Sequence, residues 1–439
     1  MSDTLEFLDL SSYAHPLSPQ DEAWLARIQA EIDPVDFLVG IGEEEEQESG
    51  HIVACDAAGR WCAGRYIGHL SLDGRRLVIK PRLGLPVIER WLDRALNLIT
   101  PPASATRRES EAFIARLLAR VWCHALDAAS RHGPPGLRVP VRHESAFARG
   151  RVELRDTLWL RRMGKPTIAS TASEKSLDHA ISRTLVAAER ALASQLSARE
   201  EWRTERVLEV MPHLRAAVGS RPRLPRRHEL SRIRYTPITL PFKRAVEISY
   251  RIASRRGFTA SAEAGRAEGL LIDVAELWEL FVLNCMRLAS SRLVVDHGTT
   301  AGRRDHLLVS ADGSKRGLAR LMPDVLVRDG SKTAVAVVDA KYKRLTPTRE
   351  RPTGVDRGDL YQLAAYLSRY GNDGQALGAL AYPDDGSPLG DAALHGPWRT
   401  DAGNLVHFIR LPLEPGACTG ALRRLIESAG GPVRTRAAA

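Results

Sequence analysis

The run Met322-Pro323-Asp324-Val325-Leu326-Val327 and the run Ala334-Val335-Ala336-Val337-Val338-Asp339-Ala340-Lys341 place two carboxylates and a lysine at the ends of two strand-like segments joined by a Gly330-Ser331 turn. Alternate side chains of a strand share a face, so Asp339 and Lys341 point one way and Ala340 the other. If the two strands pair, Asp324 is carried to the same edge. Two carboxylates and a lysine at one point suit metal-assisted phosphodiester cleavage. Asp324 and Asp339 would hold Mg²⁺, with the carbonyl of Ala340 as a third oxygen. The metal lowers the pKa of a bound water, and Lys341 orients that water or offsets phosphate charge.

These strands need helices to hold them. Leu271 to Ser290 reads as a buried helix, apolar on nearly every side. It carries Glu276 and Glu279 three residues apart, and a carboxylate on such a helix needs a partner or a metal. Glu279 is the better candidate to complete the site; its alternative is a buried salt bridge. After the strands, Asp359-Leu360-Tyr361-Gln362-Leu363-Ala364-Ala365-Tyr366-Leu367 opens another helix, with Asp359 as N-cap. Leu360, Leu363 and Leu367 face a core, while Gln362 and Tyr366 share a different face. Gln362 is read either as a contact to the metal water or DNA backbone, or as a helix-capping or packing residue, and Tyr366 as core.

Upstream, Arg65 to Leu72 and Arg75 to Pro81 flank Asp73-Gly74, a strong hairpin signal. Residues 1–104 are read as a β-rich domain, 105–265 as a mainly helical region, 266–429 as an α/β domain with a mixed sheet flanked by helices, and 430–439 as a disordered tail. Within the middle region, Glu109 to Arg131 has helical spacing, Arg149 to Leu154 is strand-like, and Ser173 to Ala217 reads as one long helix or two. Residues 220–237 form an arginine- and proline-rich connector whose Arg223, Arg226 and Arg227 are candidates to track a phosphate backbone. Glu43 to Glu46 read as a solvated acidic loop.

The 439 residues carry a formal net charge of +10, which favours an anionic partner such as nucleic acid. Five scattered cysteines without a CxxC pair argue against a disulfide framework or structural zinc and suit a reducing cytoplasm. No signal peptide is expected, and no apolar run approaches the ~18 residues that cross a bilayer, so a cytoplasmic protein with no membrane partner is expected. Thirteen histidines show no HExxH spacing, there is no GxSxG elbow, and there is no GxxxxGK[ST] loop. This chain is therefore expected to bind no nucleotide itself.

A helix bearing Glu, a strand opening Pro-Asp, a strand ending Asp-x-Lys and a helix with Gln-x-x-x-Tyr together resemble the PD-(D/E)xK nuclease fold. The finer resemblance is to the McrC family, the nuclease subunit of McrBC-type, 5-methylcytosine-specific (modification-dependent) restriction systems. Three passages carry it: Leu271 to Val282; Pro323-Asp324 through Asp339-Ala340-Lys341-Tyr342-Lys343 to Asp359-Leu360-Tyr361-Gln362; and Gly64 to Leu70 with Leu77 to Leu83. The middle region departs from the family, showing Asp178-His179 where an Asp-Asn pair opens the central helix. The resemblance implies a Mg²⁺-dependent (Mn²⁺-tolerant) endonuclease that cuts double-stranded, modified DNA delivered by an McrB-like AAA+ GTPase oligomer. It further implies docking through the N-terminal domain and stimulation of GTP hydrolysis, with Arg65, Arg75, Arg76 and Arg82 as candidate partner contacts. Lys343, two residues beyond Lys341, is a further candidate for DNA contact. Two other readings stand: a catalytically decayed activator of an AAA+ motor, and a stand-alone DNA repair nuclease of the same fold.

Overall fold

The computed structural model describes residues 4–41, 50–96, 109–196, 202–254, 267–290, 292–298, 305–311, 316–330, 333–345, 354–371, 376–386 and 397–429. The acidic block Glu43 to Glu46 and the tail from Gly430 lie outside them. The fold is mixed α/β and divides into two compact units, residues 1–104 with 260–439 and residues 105–259.

The first unit opens with β1 (Thr4–Leu8), α1 (Pro19–Glu31), the short pair β2 (Val53–Cys55) and β3 (Trp61–Ala63), β4 (Tyr66–Leu72), β5 (Arg75–Lys80) and α2 (Leu85–Ala95). The expected hairpin is present: β4 and β5 pair antiparallel, and Asp73 and Gly74 turn between them with φ of 52° and 75°. Positive φ at both central residues is the two-residue turn whose twist matches its strands. Trp24, Leu25 and Ile28 of α1 bury against Leu70, Leu72, Leu77 and Ile79.

The second unit contains α3 (Glu109–Ala129), β6 (Leu137–Ser145), β7 (Arg151–Val152), α4 (Leu154–Arg162), β8 (Ile168–Ser176), α5 (Ala180–Ala193), α6 (Glu205–Val218), α7 (Arg227–Ser231) and α8 (Phe242–Ser254). The helical reading of Ser173 to Ser176 is corrected: these residues end β8, which pairs antiparallel with β6 along nine residues. Polar strands on an exposed ribbon lack the apolar alternation that would reveal them in sequence. Two separate helices, α5 and α6, follow. Their core with α3 and α8 includes Trp122, whose indole N–H donates to Ser249 Oγ (2.7 Å).

The chain then completes the first unit with β9 (Glu268–Asp273), α9 (Val274–Ala289), β10 (Val294–Asp296), β11 (His306–Val309), β12 (Gly317–Arg320), β13 (Val325–Arg328), β14 (Ala334–Ala340), α10 (Arg357–Tyr370), β15 (Leu377–Pro383), β16 (Trp398–Arg399), β17 (Leu405–Leu411) and α11 (Pro415–Ala429). A helix starting at Leu271 is also corrected. Leu271 and Ile272 belong to β9, which joins the N-terminal sheet beside β4 in the order β1-β5-β4-β9. A fully buried apolar run has no period to separate strand from helix. The close approach requires Gly68, where a Cβ would stand 2.1 Å from the Leu270 carbonyl oxygen. The sequence divided residues 1–104 from 266–429; β9 instead binds the two stretches into one body.

A six-stranded mixed sheet follows the order β10-β13-β14-β15-β17-β16, with β14, β15 and β17 parallel. Helix α10 covers one face through Leu363, Tyr366 and Leu367, which pack on Leu326, Val337 and Leu380. Its N-cap is Asp356, which accepts from the Gly358 amide (2.8 Å), and not Asp359 as expected. Asp359 sits in the first turn, buried, where its carboxylate also complements the helix dipole.

Candidate active site

Register builds the site. Val325 stands opposite Val338, so the residues one step further along this antiparallel pair, Asp324 and Asp339, face each other on the same side of the sheet. Asp324 Oδ2 accepts a hydrogen bond from the Ala340 amide (2.6 Å), replacing the rung that β13 would have supplied had it begun earlier. In a strand the amide and carbonyl of one residue point to the same edge, so the Ala340 carbonyl also faces Asp324. Asp339 is 1% exposed, and its Oδ2 lies 2.8 Å from Lys341 Nζ. At that distance the ammonium is a charge-assisted partner for the buried carboxylate.

Lys341 Nζ also donates to Gln362 Oε1 (2.8 Å); Gln362 Nε2 donates to Tyr366 Oη (2.9 Å), and Tyr366 Oη donates to the Met322 carbonyl (3.0 Å). The relay runs from the lysine through one face of α10 and back to the loop carrying Pro323 and Asp324. Tyr366 is buried as expected, yet its hydroxyl is part of this chain. Burial first, and then the charges of Glu279 and Asp339, push the Asp324 carboxyl well above the usual carboxylate range. Burial, followed by the charge of Asp273, raises Glu279 to about 8. Burial pulls the Lys341 ammonium the other way, but Asp339 and Asp324 outweigh it and hold its pKa above the ordinary lysine value.

Three acids share one lysine here. Among the described residues no group of three His, Cys, Asp or Glu side chains forms a ready-made metal cage. The donor set is instead two facing carboxylates and a backbone carbonyl, with Glu279 close enough to raise the pKa of Asp324. All of these are hard oxygens; this chemistry fits Mg²⁺, which keeps several of its waters. Glu276 is directed elsewhere, accepting from the Ile41 amide (3.1 Å).

The other sequence candidates have different surroundings. Lys343 pairs with Asp359 (2.8 Å). Arg65 pairs with Asp273 (3.0 Å), the N-cap of α9. Arg75 pairs with Asp21 and lies over the Trp24 ring at 4.7 Å. Arg76 is half-buried. Arg82, expected at a partner surface, has a side chain only 2% exposed, between Asp385 (3.4 Å) and Asp9 (3.9 Å). In the second unit Arg223, Arg226 and Arg227 are exposed, with Arg223 paired to Glu229 (3.4 Å). The sequence reading passed over Asp9, Tyr342 and Asp273, whose partners are remote in sequence, and over the exposed apolar residues of α4. Trp159 is 57% exposed, and Leu154, Leu158 and Met163 are exposed beside it in sequence.

Residues 62–383 match the family model of the McrBC 5-methylcytosine restriction system component. The chain belongs to this family. The match takes in all four passages of the candidate site, from Glu279 to Gln362, so the resemblance to McrC holds at family level. Among solved structures, this McrBC-family chain is similar to one in the refined half-complex from the tetradecameric assembly of Thermococcus gammatolerans McrB AAA+ hexamers with bound McrC. That likeness has a TM-score of 0.57 and 16% identity and covers 97% of this chain and 99% of the other. A chain of the Thermococcus gammatolerans McrBC complex determined by cryo-electron microscopy is also similar, with a TM-score of 0.38 and 16% identity over 64% of this chain and 86% of that one. No curated protein matches the sequence.

Proposed function

We propose that this McrBC-family chain is the McrC-type nuclease subunit of a modification-dependent restriction system, a Mg²⁺-dependent DNA endonuclease of the PD-(D/E)xK type working in the cytoplasm. The observation that carries this reading is the convergence of Asp324, Asp339 and Lys341 at the adjoining ends of two inner strands, with Lys341 fixed between Asp339 Oδ2 and Gln362 Oε1, both at 2.8 Å. Asp324, Asp339 and the Ala340 carbonyl would hold Mg²⁺, and Glu279 would hold the metal or its water. Bound there, the ion supplies Lewis acidity toward a water and toward phosphate. Lys341 offsets charge on the phosphate and orients the attacking water, while Gln362 and Tyr366 limit the lysine to one direction.

The DNA would be delivered by an McrB-like AAA+ GTPase, whose GTP hydrolysis this chain stimulates. Support for such a partner comes from the fold's likeness to a chain of an assembly of McrB AAA+ hexamers with bound McrC. The exposed apolar residues of α4, with Phe147 at 82% exposure, supply a better docking surface than the N-terminal arginines, since Arg82 is buried and Arg65 and Arg75 are in intramolecular ion pairs.

The test compares plasmid cleavage by the chain in Mg²⁺, with and without an McrB-like partner and GTP, on methylated and unmethylated DNA. Cutting that requires partner, GTP and Asp339 supports the proposal. Cutting by the chain alone moves the assignment to a stand-alone nuclease. GTPase stimulation without cutting, unaltered by Asp339→Ala, moves it to a motor activator.

A further inference from the structure

Beyond Ala340 the strand β14 loses its support from the sheet. The Lys341 amide donates to the Ala381 carbonyl (2.8 Å), and in a parallel ladder the next rung would run from residue 383 back to the Lys341 carbonyl. Residue 383 is proline and has no N–H to give. The lysine therefore sits on the last rung of the sheet; its carbonyl accepts instead from the Lys343 amide (2.9 Å), a local turn that does not tie residues 342–344 to any other element.

Tyr342 points away from Lys341 and is 4% exposed. Its hydroxyl donates to Asp9 Oδ2 (2.6 Å), and its ring lies 4.8 Å from the Arg82 guanidinium carbon and 6.1 Å, edge-on, from Trp91. Asp9 directly follows β1 and is fully buried; its other oxygen accepts from the Arg82 amide, just past β5. Arg82 in turn reaches Asp385, past the end of β15, and Arg344 reaches Ser11 Oγ (3.3 Å). Residues 342–344 are thus held by loops from two strands of the N-terminal sheet, across 333 positions of sequence.

We propose that Tyr342, gripped by Asp9 and Arg82, is a positioning residue: it fixes the strand end that aims Lys341 and the Ala340 carbonyl, and it makes the N-terminal sheet a part of the nuclease centre. The proposal rests on the nuclease reading for its consequence in catalysis, but its physical content is the rigidity of residues 340–344. Tyr342→Phe keeps the ring beneath Arg82 and removes the hydroxyl. Displacing a catalytic group by a fraction of an ångström costs turnover with little effect on substrate binding, so the rate should fall about tenfold at unchanged KM for DNA. Amide hydrogen exchange across 340–344 should quicken several-fold in the same variant. Ile28→Val, in the N-terminal core away from this cluster, is the comparison for general destabilisation.

The experiment measures turnover in the partner- and GTP-dependent assay, amide exchange by mass spectrometry and the thermal midpoint for wild type, Tyr342→Phe and Ile28→Val. Slower turnover with faster local exchange in Tyr342→Phe alone is the expected result. Wild-type turnover and exchange in Tyr342→Phe overturn the proposal, as does an equal loss in Ile28→Val. If the wild type cuts no DNA, the nuclease reading fails separately and the exchange comparison decides the positioning role.

Discussion

Replacing Glu279 with glutamine tests whether the site stores electrostatic repulsion in the absence of metal. Burial and neighbouring carboxylates raise this acid from 4.5 to about 8. That is roughly a three-thousandfold gain in proton affinity on folding, or about 5 kcal/mol. The sign follows from the direction. A carboxyl with a raised folded pKa makes the folded state bind the extra proton, so its cost is absent below the unfolded value near 4.5. The cost grows as pH rises, and it is complete above about 8. Asp9, Asp273 and Asp324 are raised as well and act in the same sense. His124, His179 and His407 are lowered by burial and act oppositely, favouring the fold as pH rises toward 6.5. The difference between wild type and Glu279→Gln cancels Asp9 and the histidines and adds the part of the Asp324 shift that the Glu279 charge causes, which has the same sign. In EDTA, the wild type should lose about 10 °C of midpoint relative to the variant between pH 5 and pH 8.5, at about 2 °C per kcal/mol for a unit of this size. Thermal unfolding of both proteins across that range is the assay. Parallel curves would refute the argument, because they would mean that Glu279 ionises as easily inside the fold as outside it.

Tyr366→Phe removes the bridge between Gln362 and the Met322 carbonyl and leaves two polar groups short of a partner. A loss of about 1–2 kcal/mol is expected, readable by urea unfolding, together with slower cleavage from a less constrained Lys341. Leu158→Ser with Trp159→Ser exchanges exposed apolar groups for polar ones, so the midpoint should stay within about 2 °C of wild type while stimulation of the partner's GTPase falls at least tenfold, as measured by phosphate release.

What sequence could reveal divides along the range of the interaction. Asp324, Asp339 and Lys341 were legible because a two-residue period assigns side chains to faces, and because antiparallel pairing of two adjacent runs leaves few registers. Gln362 and Tyr366 were legible as a shared face by helical spacing. The grip on Tyr342 was not, since Asp9 and Arg82 lie more than 250 positions upstream and neither carries a local signal. Arg82, a candidate partner contact by resemblance, is buried for a related reason: its place behind β5 is decided by Asp9, Asp385 and Tyr342 together. Strand β9 was hidden within an apolar run that continues without a break into α9, where only the capping carboxylate of Asp273, accepting from the Ala275 amide (2.9 Å), marks the change.

The imbalance of three acids around one lysine also predicts how the site responds to a cation. With Glu279 raised to about 8, the metal-free site carries a proton at pH 7. A divalent cation favours the ionised acids, so Mg²⁺ binding and proton release are linked. Titration calorimetry at pH 7 in two buffers of different ionisation enthalpy should register the release of about one proton per chain. The same titration at pH 9, where Glu279 is already ionised, should release less and bind Mg²⁺ more tightly. Glu279→Gln should lessen the release at pH 7, while Asp339→Ala should abolish the binding. Enthalpies that are identical in the two buffers would mean that the acids are ionised before the cation arrives. The carboxylates would then have to be hydrated or spread apart in the metal-free protein, which contradicts the buried, facing arrangement of Asp324 and Asp339.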